Sequence, residues 1–405
     1  MALGERIESL DILRGVALMF IIFFHASIYN FANIHKIDFS NPPILIVIMS
    51  FMALWGGIFI IYSALANSLM TLKRTAPERN GGVFNYLIFA GAAYLFFHYI
   101  LNIILGRWSI DFVNNQPDMT LAANLFRSKH LIFPHVTKFF EGSSLSTIGL
   151  NLIIISLVLL FILKNNGIKK ELRNYLLLGI PGFLIMVLSF VRIPVYNLFT
   201  QAVESKNYIL ATIYSFTIAN PYPLLPYLSY GFFGAMAGLM IYNNRKDLMK
   251  KIIAPAGALF TIYGLIGMMN FEKTISKPDY FWYFKTNFEL GIFLLMLIFT
   301  VLVIEHRTNF VNKFHIIKWF GRVSLTIYML ETSVSEILRI LLHSVLPSWD
   351  QTINGSLAFG AFNVAVWIFI LFFWRKNNFK YSLEYFWVLC FQRIGKQSTK
   401  MDFLP

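Results

Sequence analysis

The hydrophobic pattern of this chain is a series of long apolar runs separated by short polar stretches. A helix needs about twenty mostly apolar residues to cross a bilayer. Runs of this kind lie at about 10–33, 44–70, 83–105, 145–163, 174–191, 222–243, 252–271, 286–304, 316–343 and 355–374. The pattern predicts an all-α, polytopic helical bundle of about ten transmembrane helices, forming a single domain over residues 1–405.

Composition supports a membrane protein and explains the net charge. Hydrophobic residues make up 57% of the chain and charged residues 13%, with a mean hydropathy of +0.62, whereas soluble domains carry about 25% charged residues. The net charge of +14 comes from Lys and Arg in alternate short loops, as the positive-inside rule requires. We therefore expect both termini in the cytoplasm and no nucleic-acid partner.

Three segments between or after the spans are long enough to carry function. Residues 106–143 and 192–221 fall on the outer side in this topology, and residues 375–405 form a cytoplasmic tail. Long loops in compact proteins are often functional. The outer loops either form the floor of an acceptor site or are ordinary connectors.

The stretch Ser9–Asn30, which covers most of the first span, holds three ionisable residues in apolar surroundings: Asp11, Arg14 and His25. Such groups are costly inside a bilayer and usually mark function. Asp11 and Arg14 are three residues apart, so they share a helix face and could simply neutralise each other. His25 lies about 16 Å beyond Arg14 along the helix, on nearly the same face. It is either a hydrogen-bonded core residue or a titratable group in a groove.

The ninth span repeats this arrangement with Arg322 near its cytoplasmic end and Glu331 nine residues deeper. A buried carboxylate needs a partner or a proton. His25 is one candidate partner, because a carboxylate orients the imidazole, and Asn151 or Asn363 are others. We predict two groups of polar residues at different depths in the membrane. Asp11, Arg14 and Arg322 hold an anionic cofactor, because guanidinium groups suit phosphate oxygens. His25 and Glu331 transfer protons.

Several segments resemble one superfamily of membrane enzymes. "SLDILRGVALMFIIFFH" is similar to the opening span of transmembrane acyltransferases, both the heparan-alpha-glucosaminide N-acetyltransferase family and the bacterial acyltransferase-3 family. "NPYPLLPYLSYGFFGAMAGLMIY" resembles a later span of the heparan-type group. "FGRVSLTIYMLE" and "YSLEYFWVLCFQRIGK" resemble late segments of YeiB-like membrane proteins.

The resemblance implies an acyltransferase of the plasma membrane that takes an acyl group, acetyl above all, from cytosolic acyl-CoA. The acceptor would be a hydroxyl or amine of an extracytoplasmic sugar, glycan or glycolipid. His25 would be the general base and Glu331 would orient it, while Arg14 and Arg322 would face the CoA. No metal is expected. The expected partners are the lipid bilayer, acyl-CoA and the acceptor, and a homo-oligomer is left open.

The sequence departs from the family patterns at two positions. Bacterial members often carry histidine where this chain has Glu331. Heparan-type members often carry asparagine at the position of His25, with the working histidine further on, near His35 here. His35 is therefore a rival catalytic base. A proton-coupled transporter using Arg14, His25 and Glu331, and a membrane scaffold without catalysis, are the alternatives from other functional classes.

Overall fold

The computed structural model describes residues 7–37, 44–53, 55–74, 80–106, 109–111, 116–219, 221–272, 278–307, 311 and 313–394. In chain order the helices are α1 (Glu8–Ile28), α2 (Ile44–Ala53), α3 (Gly56–Arg74), α4 (Asn80–Tyr99), α5 (Leu121–Ser128), α6 (Ser144–Leu163), α7 (Glu171–Leu188), α8 (Arg192–Glu204), α9 (Tyr208–Thr217), α10 (Leu224–Tyr242), α11 (Ala254–Asn270), α12 (Tyr280–Phe299), α13 (His315–Arg322), α14 (Ser324–Val345), α15 (Ile353–Trp374) and α16 (Leu383–Ile394). A short antiparallel ribbon, β1 (Ser109–Asp111) with β2 (Gln116–Asp118), follows α4.

The predicted all-α membrane bundle is confirmed. Within the described residues, eight helical segments are long and apolar enough to cross a bilayer: Glu8–Ile28, Phe84–Leu105, Lys138–Leu163, Glu171–Glu204, Leu224–Tyr242, Lys246–Asn270, Tyr280–Ile304 and Ile353–Asn377. The exact number of ten spans and the cytoplasmic position of both termini stay predictions.

The two remaining predicted spans are each divided into two helices. The run 44–70 divides into α2 and α3. The run 316–343 divides at Val323, whose backbone angles (φ −117°, ψ 36°) are not helical, into α13 and the charged helix α14. The predicted outer loop 192–221 contains α8 and α9, and 106–143 contains the ribbon and α5. These segments are folded rather than open connectors.

Glycines bring α1 into backbone contact with its neighbours. A Cβ atom at Gly15 would overlap the carbonyl oxygen of Ile317 on α13, and a Cβ atom at Gly321 would overlap the carbonyl oxygen of Asp11. On α15, a Cβ at Gly360 would lie 2.8 Å from the carbonyl oxygen of Phe23. Only glycine permits such an approach. Helix α1 is thereby held between α13 and α15, with α14 alongside.

A separate close contact joins α3 to α10, in the "GAMAG" stretch that has the small-xxx-small spacing. A Cβ at Gly234 would overlap the carbonyl oxygen of Ile61, and a Cβ at Gly238 would lie 2.9 Å from the carbonyl oxygen of Leu65. This half of the bundle forms the largest apolar core, to which α3, α6, α7, α10 and α12 contribute. The side chains of Arg14 and His25 on α1 contact α14.

Candidate active site

The two deeper ionisable residues of the sequence analysis meet between α1 and α14. His25 Nδ1 lies 2.7 Å from Glu331 Oε1, and the Glu331 side chain is only 4% exposed. The Thr332 hydroxyl donates to the same carboxylate oxygen at 3.1 Å. A carboxylate accepts a hydrogen bond from Nδ1–H and thereby leaves Nε2 as the basic nitrogen of the ring. The predicted contact between His25 and Glu331 is therefore present.

His25 and Glu331 line a cavity of about 280 Å³, which we call the His25 cavity. This volume is close to the lower limit of ordinary small-molecule sites. Its aromatic lining is Phe24, Tyr29, Tyr222 and Tyr328. Imidazole, carboxylate and three phenols therefore surround a space that can hold a small polar group next to the histidine.

The segment between α4 and α6 supplies the other polar side of the His25 cavity. Lys138, which is 6% exposed, pairs with Glu141 at 2.7 Å, and Asn102 donates its amide to the Glu141 carbonyl oxygen at 2.8 Å. The Ser144 hydroxyl donates to the Tyr328 hydroxyl oxygen at 3.1 Å. Sequence reasoning named the loop 106–143 as a possible floor of an acceptor site, but it named none of these side chains as site residues.

Arg14 approaches the start of α14. Its guanidinium donates to the Ser324 hydroxyl at 2.6 Å. The adjoining backbone N–H of Leu325 donates to Glu384 of the tail helix α16 at 2.6 Å, and the Thr326 hydroxyl does so at 2.6 Å. Burial raises the pKa of the Glu384 carboxyl. The tail that the sequence assigned to the cytoplasm thus caps α14 beside Arg14.

Arg322 has a different set of neighbours. Its Nε lies 3.9 Å from Asp11 Oδ2, and its terminal nitrogen lies 3.5 Å from Glu8 Oε1. Lys318 shares Glu8 at 2.8 Å. The sequence analysis grouped Arg14, Arg322 and Asp11 at one level. In the structure Arg322 lies beside Asp11, and Arg14 contacts Ser324, two residues after Arg322. Their joint role in binding a cofactor stays a prediction.

A second cavity, of about 400 Å³, opens beside Arg322 between α13 and the turn that follows α15. We call it the basic cavity. Its lining consists of His315, Lys318, Trp319, Arg322, Arg375, Lys376 and Asn378. Among the described lining residues, five have basic side chains, beside the indole of Trp319 and the amide of Asn378. The basic cavity therefore has the composition of an anion site.

Residues 7–375 match the acyltransferase domain of the acyltransferase-3 family. The chain belongs to the acyltransferase-3 family. No curated protein matches the sequence. The predicted membership of this superfamily is thereby confirmed, and the protein is an integral membrane acyltransferase.

In this acyltransferase the carboxyl-terminal half of α14 carries a second ionic cluster. Glu336 pairs with Arg339 at 2.8 Å, as their spacing predicts, and with Arg127 of α5 at 2.5 Å. Arg127 also donates to the Asn30 side-chain oxygen at 3.1 Å. Burial lowers the pKa of Arg127 to about 10, so it stays cationic at neutral pH. These contacts join α5 to α14 and to Asn30, which lies just after the end of α1.

Two histidine positions bear on the choice of base in the acyltransferase. His25 lies in the His25 cavity with its carboxylate partner. The side chain of His35 lies outside the described residues. The choice between them therefore stays a prediction, with His25 supported by its contacts.

Proposed function

We propose that this acyltransferase moves an acetyl group from cytosolic acetyl-CoA to a hydroxyl or amine of an extracytoplasmic sugar, glycan or glycolipid at the plasma membrane. The observation that carries the proposal is the His25–Glu331 contact at 2.7 Å, which faces the His25 cavity. The family match supports acyl transfer over the transporter alternative. An acyl-CoA of another chain length would use the same groups.

In the proposed reaction His25 is the general base. Nε2 takes the proton from the acceptor O–H or N–H as that atom attacks the thioester carbonyl carbon. The C–S bond then breaks, and the imidazolium returns its proton to the CoA thiolate. Glu331 holds the ring orientation and stabilises its charged form. An acyl-histidine formed on Nε2 and then passed to the acceptor would use the same two residues.

The acyl-CoA donor is proposed to bind at Arg14, Arg322 and Asp11. They lie towards the amino terminus of α1, on the side predicted to face the cytosol. Arg14 hydrogen-bonds Ser324 at the start of α14, and Arg322 lines the basic cavity. Asp11, close to Arg322, orients that guanidinium. Guanidinium groups bind phosphate and carbonyl oxygens through several N–H donors at once.

The test uses purified, full-length protein and labelled acetyl-CoA. Saturable binding in detergent, followed by transfer of label to a glycan or glycolipid fraction, supports the proposal. The same protein is placed in liposomes under a proton gradient. Proton-linked solute uptake without any binding of acetyl-CoA would instead establish the transporter and contradict the proposal.

A further inference from the structure

The basic cavity has more positive charge than its own carboxylates balance. Lys318 and Arg322 have Glu8 and Asp11 nearby, as described above. In the described part of the chain, Arg375 and Lys376 have no carboxylate within ion-pair distance. They are held by aromatic rings: Arg375 lies 4.5 Å from the ring centre of Trp319, and Lys376 lies 5.1 Å from that of Phe373. This surplus of positive charge is suited to an anionic ligand.

The cavity also offers more than charge. The Arg375 guanidinium lies over the buried Trp319 ring, and a guanidinium stacked in this way can itself stack on a planar ring. The Asn378 side chain adds an amide with both donors and an acceptor. A volume of about 400 Å³ is that of a small-molecule site rather than of a single phosphate. The lining thus fits a ligand that combines phosphate groups with a planar polar ring.

Its position relates the cavity to the proposed reaction. Arg322, in its wall, lies beside Asp11, and Asp11 is fourteen residues before His25 on α1. At 1.5 Å per residue this separation is about 21 Å along the helix. A ligand with its charged end here and a long flexible arm directed along α1 would bring its far end towards His25.

We propose that the basic cavity binds the phosphorylated nucleotide end of the acyl-CoA donor, an inference that rests on the donor assigned above. Arg375 and Lys376 bind the phosphate oxygens together with Arg322 and Lys318, while the adenine ring lies against the Trp319–Arg375 stack. Arg375 and Lys376 then determine affinity for the nucleotide end without touching the thioester.

A phosphate could also come from the headgroup of an anionic phospholipid, because exposed Phe372 and Phe373 lie close to Lys376. The nucleotide is favoured because the Arg375 guanidinium, stacked on Trp319, and the Asn378 amide supply ring and hydrogen-bond contacts that a headgroup phosphate does not use. The experiment below separates the two sources.

The test measures binding of labelled acetyl-CoA to the full-length protein in detergent. The variants are Arg375→Ala, Lys376→Ala and the double variant, with Lys380→Ala as a matched control. Lys380 is an exposed lysine close to the same turn and is not part of the cavity lining. Adenosine 3′,5′-bisphosphate is the competitor for the nucleotide end, and phosphatidylglycerol is the competitor for the lipid source.

We expect each cavity variant to weaken acetyl-CoA binding about tenfold or more, because it removes a charge-assisted hydrogen bond to a phosphate oxygen. Lys380→Ala should bind as the wild type does, and the bisphosphate should displace acetyl-CoA from the wild type. Acetyl-pantetheine lacks the nucleotide. Its inhibition constant against binding of labelled acetyl-CoA should therefore be the same for the wild type and the double variant.

Three results would overturn the inference, and they differ in what else they contradict. If wild type and double variant bind acetyl-CoA equally, the nucleotide site is wrong and the proposed function stands. If the double variant loses only phosphatidylglycerol binding, the cavity is a lipid site. If the wild type does not bind acetyl-CoA, the donor assignment falls as well.

Discussion

The contact between His25 and Glu331 gives a quantitative prediction for Glu331→Gln. This substitution keeps the shape of the side chain and removes its charge. At an effective dielectric constant of about 20, opposite charges about 4 Å apart attract by about 4 kcal/mol. We take this separation for the charge centres of an imidazolium and a carboxylate whose nearest atoms are 2.7 Å apart. If Glu331 stabilises the imidazolium formed during transfer, kcat should fall about a thousandfold.

The assay follows transfer of labelled acetyl groups from acetyl-CoA to the glycan fraction of membranes that contain the full-length protein. Glu336→Gln is the matched control, because Glu336 lies on the same helix, has a 3% exposed side chain and pairs with Arg127 and Arg339 instead. Protein abundance and the KM for acetyl-CoA should stay close to wild type in Glu331→Gln. A kcat within about threefold of wild type, at equal abundance, would refute the role of Glu331.

Three further predictions concern the donor and the packing around the site. Arg14→Ala should weaken acetyl-CoA binding about tenfold with little change in abundance, and unchanged affinity by calorimetry would contradict its role. Gly321→Ala should lower the melting temperature by an amount equivalent to about 1–3 kcal/mol, because the new methyl group meets backbone. Gly179→Ala, which meets the flexible Met236 side chain at 3.2 Å, should be nearly neutral, and equal shifts for the two variants would count against this explanation. Arg127→Ala should destabilise by about 2 kcal/mol, and a thermal double-mutant cycle with Glu336→Gln should show coupling, whereas additive effects would show that the two residues act independently.

The parts of the site that the sequence predicted rest on local periodicity and on the cost of burying charge. Eleven residues is close to three helical turns, so Arg14 and His25 had to project from similar faces of α1. Glu331, in an apolar run, required a polar partner. These two constraints made His25 one candidate partner of Glu331, beside Asn151 and Asn363, and the contact at 2.7 Å shows that His25 is a partner.

The parts that were missed depend on how distant segments fold back. Arg127 reaches Glu336 only because α5 packs over α14, and Glu384 caps α14 only because the tail returns to the bundle. Arg375 joins Trp319 across more than fifty residues of sequence. A helical period specifies one face of one helix, so it carries no information about these contacts.

The hydrophobic pattern also did not predict the break between α13 and α14. The apolar run 316–343 is continuous in sequence, yet Val323 leaves helical geometry. In the folded chain Glu384 accepts from the backbone N–H groups of Leu325 and Thr326. An N-terminal N–H without a helical partner needs such an acceptor. The acceptor comes from a residue about sixty positions later, which the local sequence does not reveal.

The most direct test of the account compares His25→Ala with His35→Ala in acetyl transfer by the intact membrane protein, at matched abundance. The account predicts that His25→Ala abolishes transfer while still binding acetyl-CoA, and that His35→Ala retains most of its activity. Normal transfer by His25→Ala, or loss confined to His35→Ala, would contradict it.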